Sequence, residues 1–282
     1  MSNHRKVYLE ITNRCNLSCA FCPGTERAPR ALTEEEFSFL ARRVTPWAEY
    51  IFYHLMGEPT AHPLLPRFIG IATELGLRSI ITTNGTLLAK RGEALIEAKP
   101  HKVSISLHAF EANPPGISFE EYIDSCLGFA KRAAEGGIII VLRLWNLDGK
   151  ASGALHEKND VIIRKLEDVF PRPWSEVRGS ERLRERIFLE WGEKFDWPQI
   201  DGAVLQEKGF CYGLRDQIGV LADGTVVPCC LDRNGDIALG NLFEDTLESI
   251  LASPGAQKLY NGFTERRCTE ELCRRCMRAS YY

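Results

Sequence analysis

Three cysteines, Cys15, Cys19 and Cys22, fall within eight residues near the start of the chain. Six more, Cys211, Cys229, Cys230, Cys268, Cys273 and Cys276, crowd the last quarter, and Cys126 stands alone. In a reducing compartment clustered cysteines are poor disulfide candidates and good metal ligands. Three thiolates in so short a segment can wrap one compact metal centre. Tetrahedral zinc would want a fourth ligand close by, and none is offered locally. A cubane [4Fe–4S] cluster held by three cysteines leaves one iron open, and a chelating co-substrate can fill that position. The second group offers a closed set: a hairpin between Cys211 and Cys229 brings two thiolates together, and Cys273-Arg-Arg-Cys276 supplies two more on a tight turn. Four ligands fit zinc and an iron–sulfur cluster equally well, so spacing leaves that choice open.

The rest of the composition bounds what these centres can serve. At 282 residues, 44% hydrophobic and 26% charged, the chain can bury a core without help. A net charge of -3 argues against a nucleic-acid partner, which would select a basic surplus. The N-terminal Met1-Ser-Asn-His-Arg-Lys leads straight into Val7-Tyr-Leu-Glu-Ile11, with no signal-peptide apolar core between. The longest apolar run, Ile138 to Leu144, contains Arg143 and is far short of the roughly 20 residues a spanning helix needs. These features predict a cytoplasmic location and no membrane partner.

The elements that must position the cysteines are βα units. Short apolar runs predict strands near Val7–Ile11, Tyr50–Leu55, Ser79–Thr82, Val103–Ser106, Ile138–Leu144 and Ile187–Leu189, alternating with longer amphipathic stretches so that all six are βα-linked. Thr33 with Glu36 and Ser118 with Glu121 are capping boxes, and Gly76 and Gly136-Gly137 sit where helices should stop. Six such strands predict an α/β fold, a partial, open β6/α6 TIM-like barrel over residues 1–205. The stretch 147–205, with Arg182, Arg184 and Arg186 against Glu181, Glu185 and Glu190, reads as solvated helical surface. Residues 206–282 read as a small cysteine-rich domain with strands at Gln217–Leu221 and Thr225–Val227 around an Asp223-Gly224 turn.

The first cysteine loop follows the first strand, so it lies at the C-terminal mouth of the barrel, where α/β enzymes place their chemistry. Its pattern, CxxxCxxC with Phe21 before the last cysteine, resembles the radical S-adenosylmethionine (SAM) superfamily. That resemblance implies an enzyme in which SAM binds the open iron and is cleaved reductively to a 5′-deoxyadenosyl radical that abstracts hydrogen from substrate. It also implies a reductant such as flavodoxin or ferredoxin. Gly57-Glu58-Pro59 looks like the family's GGE-type motif, which receives the SAM amino group. Thr83-Asn84-Gly85 is similar to its TNG turn, and Ser106-Leu-His108 stands where many members carry Ser-x-Asp, with His in place of Asp. Arg143, interrupting an apolar strand, calls for an anionic partner: a SAM or substrate carboxylate, or a neighbouring acid. His54 and His62 read as hydrogen-bonded histidines, and no residue is assigned as catalytic.

The pattern Cys211, Gly224-x4-Cys229, Cys273-x-x-Cys276 is similar to the Twitch module, a shortened SPASM module with one auxiliary [4Fe–4S] cluster. With the first cluster it makes two [4Fe–4S] clusters in all. Gly240-Asn241-Leu242, before an amphipathic helix ending near Leu259, fits the same module. Cys230 reads as a packed thiol or a hydrogen-atom donor, Cys268 as a bystander, and Cys126 as core. The resemblance implies oxidation or epimerisation of a small polar molecule, such as a sugar or aminocyclitol, and His108-Ala109 resembles the aminocyclitol-dehydrogenase branch. Modification of a peptide or RNA is the second reading, weakened for peptides by the mere six residues ahead of the first strand. A zinc-binding structural module is the non-enzymatic alternative.

Overall fold

The computed structural model describes residues 5–112, 117–147, 157–193 and 196–280. The N-terminal residues 1–4 and, within the charged stretch, residues 148–156 and 194–195 lie outside the described residues.

Six strands predicted from apolar runs all form: β1 (Lys6–Leu9), β2 (Tyr50–Phe52), β3 (Arg78–Thr83), β4 (Lys102–Ser106), β5 (Ile139–Leu147) and, further along the chain, the strand at Ile187–Glu193. They lie side by side in parallel in that order. Helices α1 (Glu34–Val44), α2 (Leu65–Glu74), α3 (Leu88–Ala98) and α4 (Phe119–Glu135) connect the first five. Both predicted capping boxes close: the Glu36 backbone N–H donates to Thr33 Oγ1 while Glu36 Oε2 accepts from the Thr33 N–H, and Ser118 and Glu121 do the same. The α1 face Phe37, Leu40, Ala41, Val44 repeats at helical spacing and is fully buried, Phe37 stacking on Phe68 at 4.3 Å between centroids. The parallel sheet is therefore open and covered by helices, as the sequence pattern predicts.

The charged stretch corrects one expectation. Among its described residues only part is helix, α5 (Glu157–Val169), which buries Ile162 and Leu166. The arginine-rich segment is a β-hairpin: β6 (Ser175–Val177) pairs with β7 (Ser180–Arg184), and β7 pairs with β8 (Ile187–Glu193), both antiparallel. Arg182 and Arg184 face solvent on either side of the buried Leu183, and Arg186 turns the chain at φ 62°. A single buried residue, Leu183, across the two short strands gives too weak an alternation to outvote the mixed charges, which mimic a helix surface.

At the other edge, β9 (Gln217–Val220) joins β1 in parallel, and β10 (Thr225–Val227) and β11 (Gly240–Asn241) continue antiparallel. The sheet thus runs across position 206 without a break in pairing. Gly224 turns the predicted hairpin at φ 86°, with Asp223 Oδ1 accepting from the Thr225 N–H at 3.0 Å. The expected single helix ending near Leu259 is two, α6 (Leu247–Ala252) and α7 (Pro254–Thr264), because Ser253 caps a new helix whose first residue is Pro254. A short helix, α8 (Glu271–Arg274), carries Cys273. Among the described residues no helix is long and apolar enough to cross a membrane.

Candidate active site

The C-terminal ends of β1 to β5 meet at one mouth of the sheet. The loop after β1 carries Cys15, Cys19 and Cys22, exposed or half-buried, and the Cys22 N–H donates to the Cys19 carbonyl at 2.9 Å. Burial pushes the Cys19 thiol up to about 11, with the charges of Cys15 and Cys22 adding to the shift. Burial likewise raises Cys15, with Glu58 and Cys22 contributing. Cys15 and Cys19, raised by burial and by neighbouring negative groups, belong to a donor set that a positively charged centre would satisfy. No three such donors converge tightly enough among the described residues to hold a single ion.

Gly57 lies directly under this loop. Its φ is 80°, and a Cβ there would fall 2.2 Å from the Thr12 carbonyl oxygen. Only glycine lets the two loops approach so closely. Gly57→Ala is expected to displace the cysteine loop and cost about 2 kcal/mol or more. A lowered Tm together with loss of iron from the N-terminal site would be the signature; wild-type iron content would refute this reading.

Glu58, next in sequence, is 2% exposed. Its Oε1 accepts from the Thr60 N–H and hydroxyl at 2.9 and 2.6 Å, and its Oε2 from the Asn84 N–H at 2.7 Å. Burial raises its carboxyl despite these bonds, and no cation pairs with it among the described residues. Pro59 opens the 3₁₀ turn that brings Thr60 round to this carboxylate. Asn84 also donates to Asn16 Oδ1 at 3.0 Å, tying the loop after β3 to the cysteine loop, while Thr83 Oγ1 accepts from the Gly85 N–H at 3.1 Å.

One residue the sequence reading missed organises the rest. Glu10, fully buried at the end of β1, accepts a bidentate pair from Arg27 at 2.8 and 2.7 Å. It also takes the Met56 N–H at 3.1 Å and the Ala222 N–H at 3.2 Å. A single carboxylate therefore joins the cysteine loop, the approach to Gly57 and the C-terminal region. Arg27 Nε donates to the Arg233 carbonyl at 2.9 Å, and Arg233 Nη1 donates back to the Gly24 carbonyl at 2.9 Å. An acid interrupting an apolar strand was the only signal available.

In the C-terminal region Cys211, Cys229, Cys273 and Cys276 line one small cavity. Burial raises all four thiols, and neighbouring cysteines add to the effect at Cys211, Cys229 and Cys273, so this set too would suit a positive centre. Cys268 is buried beside them but does not line that cavity, and its N–H donates to the Glu207 carbonyl at 2.9 Å. Cys126 is core, as expected.

Between the two cysteine sets lies a cavity of about 500 Å³. Phe21, Cys22, Ser106 and His108 line it from the barrel side and Cys211, Cys229, Cys230 and Cys276 from the other. The Phe21 and His108 rings stand 5.2 Å apart. His108 Nδ1 lies 3.2 Å from the Arg143 carbonyl and accepts from the Trp145 N–H at 3.3 Å. For Arg143 the neighbouring acid is present: its Nε donates to Glu190 Oε2 on β8 at 3.1 Å. His54 also lines the cavity; burial, and then the charge of Arg143, lower it to about 3, so the ring is neutral. His62 is a structural residue, with Nε2 at 3.0 Å from the Leu32 carbonyl and Nδ1 accepting from the Leu64 N–H. Cys230 shares a hydrogen bond with Tyr8, whose hydroxyl burial raises.

Comparison with known proteins follows the same division. The radical SAM superfamily matches residues 9–148, and the SPASM iron–sulfur cluster-binding domain matches residues 211–277. A probable GTP 3′,8-cyclase of Methanothermobacter thermautotrophicus is 24% identical over 81% of this chain and 85% of its own length. The subtilosin biosynthesis protein AlbA of Bacillus subtilis is 24% identical over 94% of this chain and 64% of its own length. Among solved structures, BtrN in complex with AdoMet and 2-DOIA superposes with a TM-score of 0.63 at 19% identity, covering 97% of this chain and 93% of BtrN. Streptococcus suis SuiB bound to S-adenosylmethionine gives 0.65 at 18% identity, covering 99% and 73%. At such identities these structures establish the fold.

Proposed function

This chain belongs to the radical SAM superfamily and ends in a SPASM-type iron–sulfur module, and from that premise we propose that it removes hydrogen from a small molecule held in the cavity between its two cysteine sets. It is an enzyme, and the two family matches indicate SAM and two [4Fe–4S] clusters as its cofactors, which decides between iron–sulfur and the zinc that spacing left open. Cys15, Cys19 and Cys22 would hold the SAM-binding cluster, and Cys211, Cys229, Cys273 and Cys276 the auxiliary one. When bound, the first centre and SAM supply a 5′-deoxyadenosyl radical, and the second supplies an acceptor for the substrate's electron.

The chain's own residues then bind and orient. Glu58, buried and without a cation, receives the SAM ammonium, with the Gly57–Pro59 backbone beside it. Thr83 and Asn84 fix the adjoining turn against the cysteine loop. Phe21, Ser106 and His108 line the cavity and would contact SAM there, and the aromatic walls would exclude water from the reacting carbon. The observation that carries this reading is the cavity itself, which meets Cys22 at one end and Cys211, Cys229 and Cys276 at the other. A substrate seated there would face both centres at once.

Oxidation or epimerisation of a small polar metabolite is the leading reaction class, in keeping with the near-complete overlap with BtrN. A peptide substrate is the second reading, favoured by the likeness to SuiB bound to its precursor peptide SuiA, at a TM-score of 0.63. The oxygen-sensitive centres suit the reducing cytoplasm and a flavodoxin or ferredoxin reductant. Anaerobic reconstitution should give about eight irons per chain. Reduction in the presence of SAM should release 5′-deoxyadenosine. A metabolite extract should then contain one compound whose mass falls by two units as 5′-deoxyadenosine accumulates, or, for epimerisation, one that gains a solvent deuterium. Iron-free protein, or intact SAM after reduction, would refute the proposal.

A further inference from the structure

The lining of the cavity has a consistent chemistry. Among the described residues it includes two cations, Arg143 and Arg278, and no carboxylate. Arg278 lies two residues from Cys276, so its charge is directed to the auxiliary set. Arg143 is directed elsewhere. It sits 4.5 Å over the Trp145 ring, and only its Nε is engaged, by Glu190. Its two outer NH2 groups make no hydrogen bond among the described residues. Trp145 carries a buried indole N–H with no acceptor. The ring lies flat against β8 because Gly192 leaves it room: a Cβ there would stand 2.6 Å from Trp145 Cδ1. Around these donors the walls are aromatic, with Phe21, Phe52, Trp197 and Tyr212.

We propose that the substrate carries an oxyanion, a carboxylate or a phosphate, on an aromatic or otherwise apolar body, and that the two outer NH2 groups of Arg143 take the oxyanion. This inference rests on the reading above that the cavity is the substrate site, and it narrows that reading. A guanidinium fork with two uncommitted NH2 groups matches a carboxylate or phosphate edge to edge. The cationic ammonium groups of an aminocyclitol would meet Arg143 with no lining acid to offset it.

The test uses reconstituted holoenzyme with SAM bound and anaerobic titration calorimetry. The probes are 3-phenylpropionate, phenyl phosphate and 3-phenylpropylamine, which share an aromatic body and differ in head group. At least one acid should bind about tenfold or more tighter than the amine. The tighter acid identifies whether carboxylate or phosphate is the natural head group. Arg143→Gln should bring acid and amine within about twofold of each other, and Arg143→Lys, a point charge without a fork, should fall between. An amine that binds as well as the acids would overturn the proposal, as would failure of all three probes to bind up to about 10 mM. So would a loss in Arg143→Gln that falls on SAM affinity rather than on the acids, since the arginine would then serve SAM. The wild-type comparison stands even where a variant fails to fold. Absence of 5′-deoxyadenosine from the wild-type enzyme would instead sink the underlying functional reading.

Discussion

Cys19→Ala is expected to retain about four of eight irons per chain and to lose SAM cleavage by at least about 1,000-fold, well beyond the 10–100-fold that loss of a partner behind a metal ligand costs. Cys19 is the test residue because it feels the charges of both Cys15 and Cys22, so it sits at the centre of the set. A cubane left with two protein ligands is not expected to survive reconstitution. The companion variant is Cys276→Ala. It should also lose about half the iron, yet still release 5′-deoxyadenosine on reduction with SAM, because the Cys15–Cys22 loop is untouched. What it should lose is conversion of substrate. Cys126→Ala supplies the contrast: its thiol is buried in α4 against Gly85, so it should keep full iron and shift only stability. Iron counts that stay at eight in both Cys19→Ala and Cys276→Ala would mean that the clusters are held by other residues.

How much of this was legible beforehand can be traced residue by residue. The six barrel strands were readable because each is a short apolar run, and the capping boxes at Thr33 and Ser118 act through local hydrogen bonds that spacing specifies. The grouping of the cysteines was readable for a similar reason, since loop spacing limits what one centre can collect. The hairpin at Ser175–Arg184 was not, because its strands are short and their charges alternate with a single buried leucine. Arg143 was readable as a residue in need of an acid, but Glu190 lies on a neighbouring strand 47 residues on, and only the sheet register brings them together. The aromatic lining was invisible for the same reason: Phe21, Trp145, Trp197 and Tyr212 come from four separate segments and share no motif.

Glu10 is the other residue whose role only the folded chain reveals, and its replacement should have the largest effect on stability. Each carboxylate oxygen accepts one Arg27 N–H and one backbone N–H, from Ala222 at Oε1 and from Met56 at Oε2. Glu10→Ala would leave the Arg27 guanidinium, 14% exposed, with an uncompensated charge and strand both backbone donors. Breaking a buried pair from one side costs about 3–5 kcal/mol. At roughly 2–4 °C per kcal/mol for a chain of this size, Tm should fall by about 6–20 °C. Glu10→Gln should be almost as damaging, because its NH2 group would face a backbone N–H where an acceptor is required. Removing both charges in Glu10→Leu/Arg27→Leu should cost less than the two single changes summed, since no buried charge is then left alone. The same carboxylate fixes the cysteine loop to the C-terminal region, so Glu10→Ala should also lower iron at the N-terminal site in protein that still folds. A melting temperature within about 2 °C of wild type, with full iron, would show that the Glu10–Arg27 pair does not hold the two halves of the active site together.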